Sequence, residues 1–243
     1  MSRARTLADY GNGIDTASIT SGTFPTARIA DDAITLDKLA HLGTDGQVLT
    51  STGTGSAPAY EAVSVSAGSV IEQFMSPCDG SSITVQSGTY TVQDVTGEHQ
   101  MGDAYSGITG SSIDYVPPTG TQTVIYKFDF QLSYVDDNGL FHMKLFIDND
   151  AGTLTEVTQM RLTHYAKDAQ PEDRITFAWP FHIGGSDDDS ICRRDTWTSA
   201  RTIQVQGREG SSGNEVKLHE TSYWDGSSSS QFSVPIIGIT ALA

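Results

Sequence analysis

Acidic, aromatic and thiol side chains are the residues of this 243-residue chain with the most chemistry to offer, and their spacing limits what they can do. Asp187-Asp188-Asp189, flanked by Gly184-Gly185-Ser186, supplies the hard oxygen donors that calcium takes. The run lacks EF-hand spacing and the distal glutamate, so a solvated acidic loop is the expected role. Asp148-Asn149-Asp150 with Gly152 carries similar donors, but it falls between two strand-like runs and reads as a hairpin turn. Cys78 and Cys192 form no CxxC pair and have no histidine at zinc spacing, so no metal site is expected. A long-range disulfide between them is open, with free thiols the expectation for a cytoplasmically made chain.

Enzymatic signatures are missing. There is no G-x-S-x-G elbow, P-loop, Rossmann glycine pattern or H-E-x-x-H, so no catalytic residue and no cofactor is expected. A carboxylate pair cleaving surface polysaccharide leaves no spacing signature and stands as the enzymatic alternative. The six histidines are scattered, with His142 and His182 on the minority faces of their strands, where packing or surface roles are expected. Trp197, Tyr223 and Trp224 would stack on sugar rings if exposed; core or subunit contacts are the commoner role for such aromatics.

Charge narrows the partners. Lys plus Arg number 14 against 30 Asp plus Glu, a formal net charge of −16. Nucleic-acid binding needs a basic face that this chain lacks, and an anionic membrane surface would repel it. No apolar run reaches transmembrane length, and Arg3 and Arg5 are not followed by the apolar core of a signal peptide.

The elements that must position these residues follow two grammars. From about residue 66 the pattern is period two. Tyr126, Phe128, Phe130, Leu132 and Tyr134 alternate with polar residues, and Asn138-Gly139 marks a hairpin turn before Phe141, Met143, Leu145 and Ile147. Further strands are expected from Val157 to Tyr165, through Ile175, Phe177, Trp179, Phe181 and Ile183, and over Trp197–Gln206, Glu215–Tyr223 and Phe232–Thr240. Pro180 places its run at an edge or a bulge. About eight antiparallel strands, each with one buried face, predict a β-sandwich of jelly-roll type, and the fold class is mainly β.

The first part reads differently. Ile14, Ile19, Phe24, Ile29, Ile34 and Leu39 stand five residues apart, with mostly small or polar residues between them. Five matches neither the helical nor the strand period. One large apolar residue in five cannot offset backbone ordering at about 1–2 kcal/mol per residue, since its burial contributes about 1.5–3 kcal/mol. The stripe therefore needs a cover. A solenoid would need more coils, so parallel chains wound about one axis are the better solution. A linker with chance spacing, or a short helix over Asp31–Leu39, are the plainer alternatives. A strand, a Gly/Ser/Thr loop and a second strand follow, from Gly43 to Val63. Ser2–Gly11 is the one locally basic stretch, either a flexible tail or a segment that orders against a partner.

Ser21–Leu39 followed by Gly43–Gly53 resembles the repeat of tailed-bacteriophage fibre proteins, most closely those of marine and cyanobacterial phages. Tyr115-Val116-Pro117-Pro118, His219–Gly226 and Pro235–Ala241 are similar to the terminal domain of the same class of virion proteins. The resemblance implies a homotrimer found in the virion, with Ile14, Ile19, Phe24, Ile29, Ile34 and Leu39 as axial contacts. It implies docking of the N-terminus to another virion protein, through Arg3, Arg5, Leu7 and Tyr10, and a distal head that meets a host-surface saccharide or protein. The expected organisation is a docking tail over 1–13, an intertwined shaft over 14–65 and a β-sandwich head over 66–243. At about 3.3–3.6 Å per residue a shaft of about 50 residues spans less than roughly 180 Å, so the fibre is short. A non-receptor fibre, as capsid decoration, collar or tail-adaptor spike, is the second reading.

Overall fold

The computed structural model describes residues 46–51, 59–62, 66–134, 139–149, 152–165, 172–210, 216–221 and 231–243. The pentad residues Ile14 to Leu39 and the docking residues Arg3, Arg5, Leu7 and Tyr10 lie outside this set, as do Tyr223 and Trp224. The chain divides into two compact units, Met1–Ser64 and Val65–Ala243.

In the first unit, β1 (Gln47–Thr50) and β2 (Ala59–Ala62) form an antiparallel pair in which Gln47 faces Ala62 and Thr50 faces Ala59. These are the two short strands expected on either side of the Gly/Ser/Thr-rich stretch, which itself lies outside the described residues.

The second unit holds β3 (Val70–Pro77), β4 (Ser82–Val85), β5 (Gly88–Thr91), β6 (His99–Gln100), β7 (Ser106–Gly107), β8 (Ile113–Tyr115) and β9 (Thr123–Tyr134). These are followed by β10 (Leu140–Asp148), β11 (Leu154–Tyr165), β12 (Glu172–Ile183), β13 (Arg193–Arg194) and β14 (Arg201–Glu209). The chain ends with β15 (Val216–Leu218), β16 (Glu220–Thr221), β17 (Gln231–Phe232) and β18 (Ile236–Leu242). No helix occurs among the described residues.

Two sheets dominate. In one, β12, β9, β18 and β3 lie side by side; in the other, β11, β10, β14 and β8 do. Following the chain, β3, β9, β12 and β18 belong to the first sheet and β8, β10, β11 and β14 to the second, which is the strand exchange of a double-sheet jelly roll. Alternation sets the register. Val124, Tyr126, Phe128, Phe130 and Leu132 of β9 are wholly buried, as are Phe141, Leu145 and Ile147 of β10. They join Phe177, Phe181, Ile203, Val205, Ile237 and Ile239 in one core between the sheets. At Gly207 on β14 there is no room for a side chain, because a Cβ there would clash with the ring of Phe141 on the neighbouring β10.

Pro180 sits where its run predicts. Strand β12 pairs with β9 along its length, and on its other side only His182 and Ile183 pair, with β13, so Pro180 faces an open edge. Three expected strands are shorter than their sequence suggests or are interrupted; the one placed at Phe232–Thr240 is split into β17, ending at Phe232, and β18, beginning at Ile236. The strand placed at Trp197–Gln206 is β14, which begins at Arg201, and Trp197–Ala200 is a loop that turns its tryptophan into the core. The strand placed at Glu215–Tyr223 is broken at His219, whose φ of 68° lies in the left-handed region.

That break buries an imidazole. His219 is fully inaccessible, with its N–H donated to the Gln131 carbonyl at 2.8 Å and its own carbonyl accepting from Ser233 N–H at 2.7 Å. Nε2 lies 3.1 Å from the Thr109 carbonyl, Thr109 Oγ1 bridges to His99 Nδ1 at 3.1 Å, and His219 Nδ1 has no partner. Burial pushes the His219 pKa down to about 4. Between pH 6.5 and 4 the unfolded chain therefore takes up a proton that the folded chain refuses. Stability is complete above about pH 6.5, falls by about 3 kcal/mol as the pH drops to 4, and loses nothing more through this group below that. Urea unfolding at pH 7, 5.5 and 4 should show this slope in the native protein and a shallower one in His219→Gln; equal slopes would assign the pH dependence elsewhere.

Candidate functional site: a cleft and a buried arginine pair at one end of the sandwich

Three connections meet at one end of the second unit: β8 to β9, β10 to β11, and the long passage from β12 through β13 to β14. The first described residues of the unit and its C-terminus lie there too, since Gly68 N–H donates to the Ala243 carbonyl and Gln122 N–H to that of Leu242. A cleft of about 380 Å³ opens between the first and the third of these, lined by Val116, Pro117, Pro118, Gly120, Ile183, Asp195, Trp197 and the hydroxyl-bearing Thr119, Thr121, Thr196 and Thr198.

Trp197, the one aromatic residue in this lining, belongs to an aromatic cluster built from far-apart segments. Tyr115 packs against Phe74, Tyr90 and Trp197, and Trp197 meets Phe181 edge-on. Trp197 Nε1–H donates to the Tyr115 carbonyl at 3.0 Å, and the Tyr90 hydroxyl donates to the Val116 carbonyl at 2.9 Å. Beneath them Glu72, only 5% exposed, accepts from Tyr115 Oη, Ser87 Oγ and Ser87 N–H at 2.9, 2.7 and 2.7 Å. Desolvation, and then the bond to Glu72, raises the Tyr115 pKa and keeps the phenol a donor. Trp197 is 4% exposed. It is a structural wall of the cleft, and no face of its ring is free for a sugar.

Beside the cleft, a polar notch of about 180 Å³ is lined by Asn149, Asp187, Asp189, Arg194 and Arg201. The aspartate run builds its wall. Asp187 Oδ1 accepts from Asp195 N–H at 2.8 Å, Asp188 Oδ1 accepts from Ser190 N–H and Oγ–H, and Asp189 Oδ1 accepts from Arg194 Nη1 at 2.8 Å. The Ser190 hydroxyl and then its backbone N–H hold the Asp188 carboxyl below its ordinary range. The loop closes through mutual Asp188–Arg193 backbone bonds, with Gly184 and Gly185 at positive φ. These carboxylates are loop-building acceptors. Among the described residues no group of three or more His, Cys, Asp or Glu is placed to hold a metal ion.

The two arginines of the notch belong to a residue type that is exposed by default, yet Arg194 is 2% and Arg201 3% exposed. Arg201 donates to the carbonyls of Asp148 and Thr196 and lies over the Trp197 ring at 5.9 Å. Asp148 itself caps the hairpin turn, accepting from Gly152 N–H at 3.0 Å, as its spacing predicts. Strand parity was the one available clue: Arg201 shares the inward face of β14 with Ile203 and Val205.

The remaining sequence candidates lie elsewhere. His142 meets Thr163 Oγ1 at 2.9 Å and His182 meets Thr123 Oγ1 at 3.3 Å, both in exposed settings. Cys78 and Cys192 are unpaired and buried, and burial raises both thiols to about 12, which leaves them without thiolate reactivity near neutrality.

No protein-family model and no curated protein matches this chain. Among solved structures, a chain of infectious bursal disease virus, Gx strain, aligns with 81% of this chain and 42% of its own length, at 8% identity and a TM-score of 0.34. The corresponding Gt strain structure aligns with 81% and 43%, at 7% identity and a TM-score of 0.33. Eiger TNF from S. frugiperda aligns with 73% and 89%, at 11% identity and a TM-score of 0.31. This chain spans less than half the length of the two viral chains. Likeness at this level bears on neither partner nor activity.

Proposed function

We propose that this chain is a virion structural protein of a tailed bacteriophage: a short homotrimeric fibre whose C-terminal jelly-roll head attaches to the host surface. The observation that carries the reading is the apolar stripe at five-residue intervals from Ile14 to Leu39. It cannot cover itself in a single chain, and it coincides with the stretch that resembles phage-fibre repeats. In this reading residues 1–13 dock to another virion protein through Arg3, Arg5, Leu7 and Tyr10. Residues 14–65 wind three chains together, and residues 66–243 present loops to a saccharide or protein receptor. The protein acts by binding and not by catalysis, and neither nucleic acid nor membrane insertion enters its work.

The shortness of the shaft favours one further reading, a fibre without a receptor of its own in a capsid, collar or tail-adaptor position. Adsorption separates the two. Full-length protein, fluorescently labelled, is expected to decorate host cells and to slow adsorption of the parent phage in proportion to its occupancy. If no cell type in the host range binds the protein while virions still adsorb, attachment belongs to another protein and the structural reading stands. Release of new reducing ends from host glycan would instead restore the enzymatic alternative.

A further inference from the structure

The two large sheets turn unlike faces outward. On the sheet of β10, β11 and β14 the outward side chains include His142, Lys144 and Arg208, and Lys144 bonds Glu156 of β11 at 3.0 Å. That is the polar surface a solvated antiparallel sheet shows. The outward face of β3, β18 and β9 is apolar instead. Strand pairing sets Pro77 against Ile236, Met75 against Gly238, and Val70 against Leu242 across a bulge, while Ile125 of β9 lies opposite Thr240. Val70 and Met75 are 55% and 51% exposed. Met75 lies across Gly238, where a Cβ would meet its Cγ at 2.7 Å. A thioether and five aliphatic side chains thus form one band over three neighbouring strands. A contiguous apolar patch of this kind, rimmed by polar residues, marks a surface that a partner covers.

Charge and chain path identify the partner. The chain carries a net charge of −16, which sets copies against one another over most of their surface. Beside the band, however, the one carboxylate is offset by cations. Lys127 Nζ lies 3.9 Å from Asp129 Oδ2, and Arg174 Nε donates to Asp129 Oδ1 at 2.8 Å. Copies that meet here bring no uncompensated negative charge into the contact. The band also begins where the chain enters the sandwich. Residues 66–69 lead into β3, held by Gly68 N–H on the Ala243 carbonyl and by Ala243 N–H on that of Ser69 at 2.9 Å. At about 3.3–3.6 Å per residue those four residues span less than roughly 15 Å. Copies joined through residues 14–65 therefore keep their β3 strands close together, and β3 supplies Val70, Met75 and Pro77 to the band.

We infer that this sheet face is covered by the other copies of the chain, with Val70 and Met75 at the contact. The inference rests on the homotrimeric reading and adds to it a second interface, between the heads themselves. Cyclic closure lets each copy give and receive the same contact about one axis.

The test follows oxidation of Met75 by hydrogen peroxide, read by peptide mass spectrometry, in the full-length protein. Light scattering gives the mass of the same sample, and the same protein unfolded in urea gives the rate for a free thioether. The expected result is a mass of about 78 kDa, three times the 26.0 kDa chain, with Met75 oxidised at least about tenfold more slowly than in urea. Met101 and Met143, buried within one chain, mark the rate of a covered thioether. A mass of about 78 kDa with Met75 within about threefold of the urea rate would overturn the inference and leave the homotrimer standing. A mass near 26 kDa would overturn both. Met75→Glu supplies a second readout. On a free surface the exchange shifts the melting temperature by no more than about 2 °C. Against a neighbouring copy it presses a carboxylate onto apolar surface, and a fall of at least about 5 °C is expected. An unchanged melting temperature in a trimeric Met75→Glu protein would also overturn the inference.

Discussion

Replacing Glu72 by alanine is expected to destabilise the second unit by about 4 kcal/mol and to lower its melting temperature by about 10 °C. The carboxyl group accepts from Tyr115 Oη and from both donors of Ser87, and it sits inside the sandwich at 5% exposure. Hydrogen bonds to a carboxylate contribute about 1.5–3 kcal/mol each, and their loss here strands a buried phenol as well. The three bonds also tie together β3, the β4–β5 hairpin and β8, which belong to different sheets. Glu72→Gln keeps the volume and one acceptor, but turns an NH2 toward the Ser87 donors; about half the loss is expected. Urea denaturation with an unchanged m value would measure both effects. A change below about 1 kcal/mol in Glu72→Ala would mean that the network compensates its own desolvation and little more. Because Tyr115 and Val116 roof this network, the alanine variant should also loosen the cleft above it.

The second large effect concerns assembly. Light scattering after size exclusion is expected to give about 78 kDa for the full-length protein, three times the 26.0 kDa chain. Closed cyclic symmetry is the simplest way for identical chains to bury one apolar stripe each. Placing a charge in that stripe, as in Phe24→Asp combined with Ile29→Asp, would set unpaired carboxylates on the axis, and the mass should fall toward that of one chain. A native mass near 26 kDa would leave the six apolar residues uncovered. The fibre reading would then rest on motif resemblance alone.

How much of this protein was legible in its sequence differs between backbone and site. The alternation of β9 and β10 identifies two inward faces before any coordinate is known, and every residue of the series Tyr126, Phe128, Phe130 and Leu132 is buried as its parity requires. The Asp148 turn and the edge position of Pro180 follow from local chemistry for the same reason: the causal contacts lie within a few residues, or within one strand. The break at His219 had no such signal, since its left-handed conformation is held by Gln131 and Ser233, one of them 88 residues away.

The chain's own order of residues determined a β-rich protein with strands of alternating polarity, an acidic net charge and a five-residue apolar period from Ile14 to Leu39. Only the tertiary structure decided which polar residues are inside. Glu72, Arg194, Arg201 and His219 belong to types that are exposed by default, and their burial depends on partners that folding brings from distant positions: Tyr115 lies 43 residues from Glu72, and Asp148 lies 53 from Arg201. Periodicity reports the average environment of a face, because it sums many similar transfer energies along one element. A buried charge is an exception compensated by a few specific hydrogen bonds across elements, and those exist only once the two sheets have closed on each other.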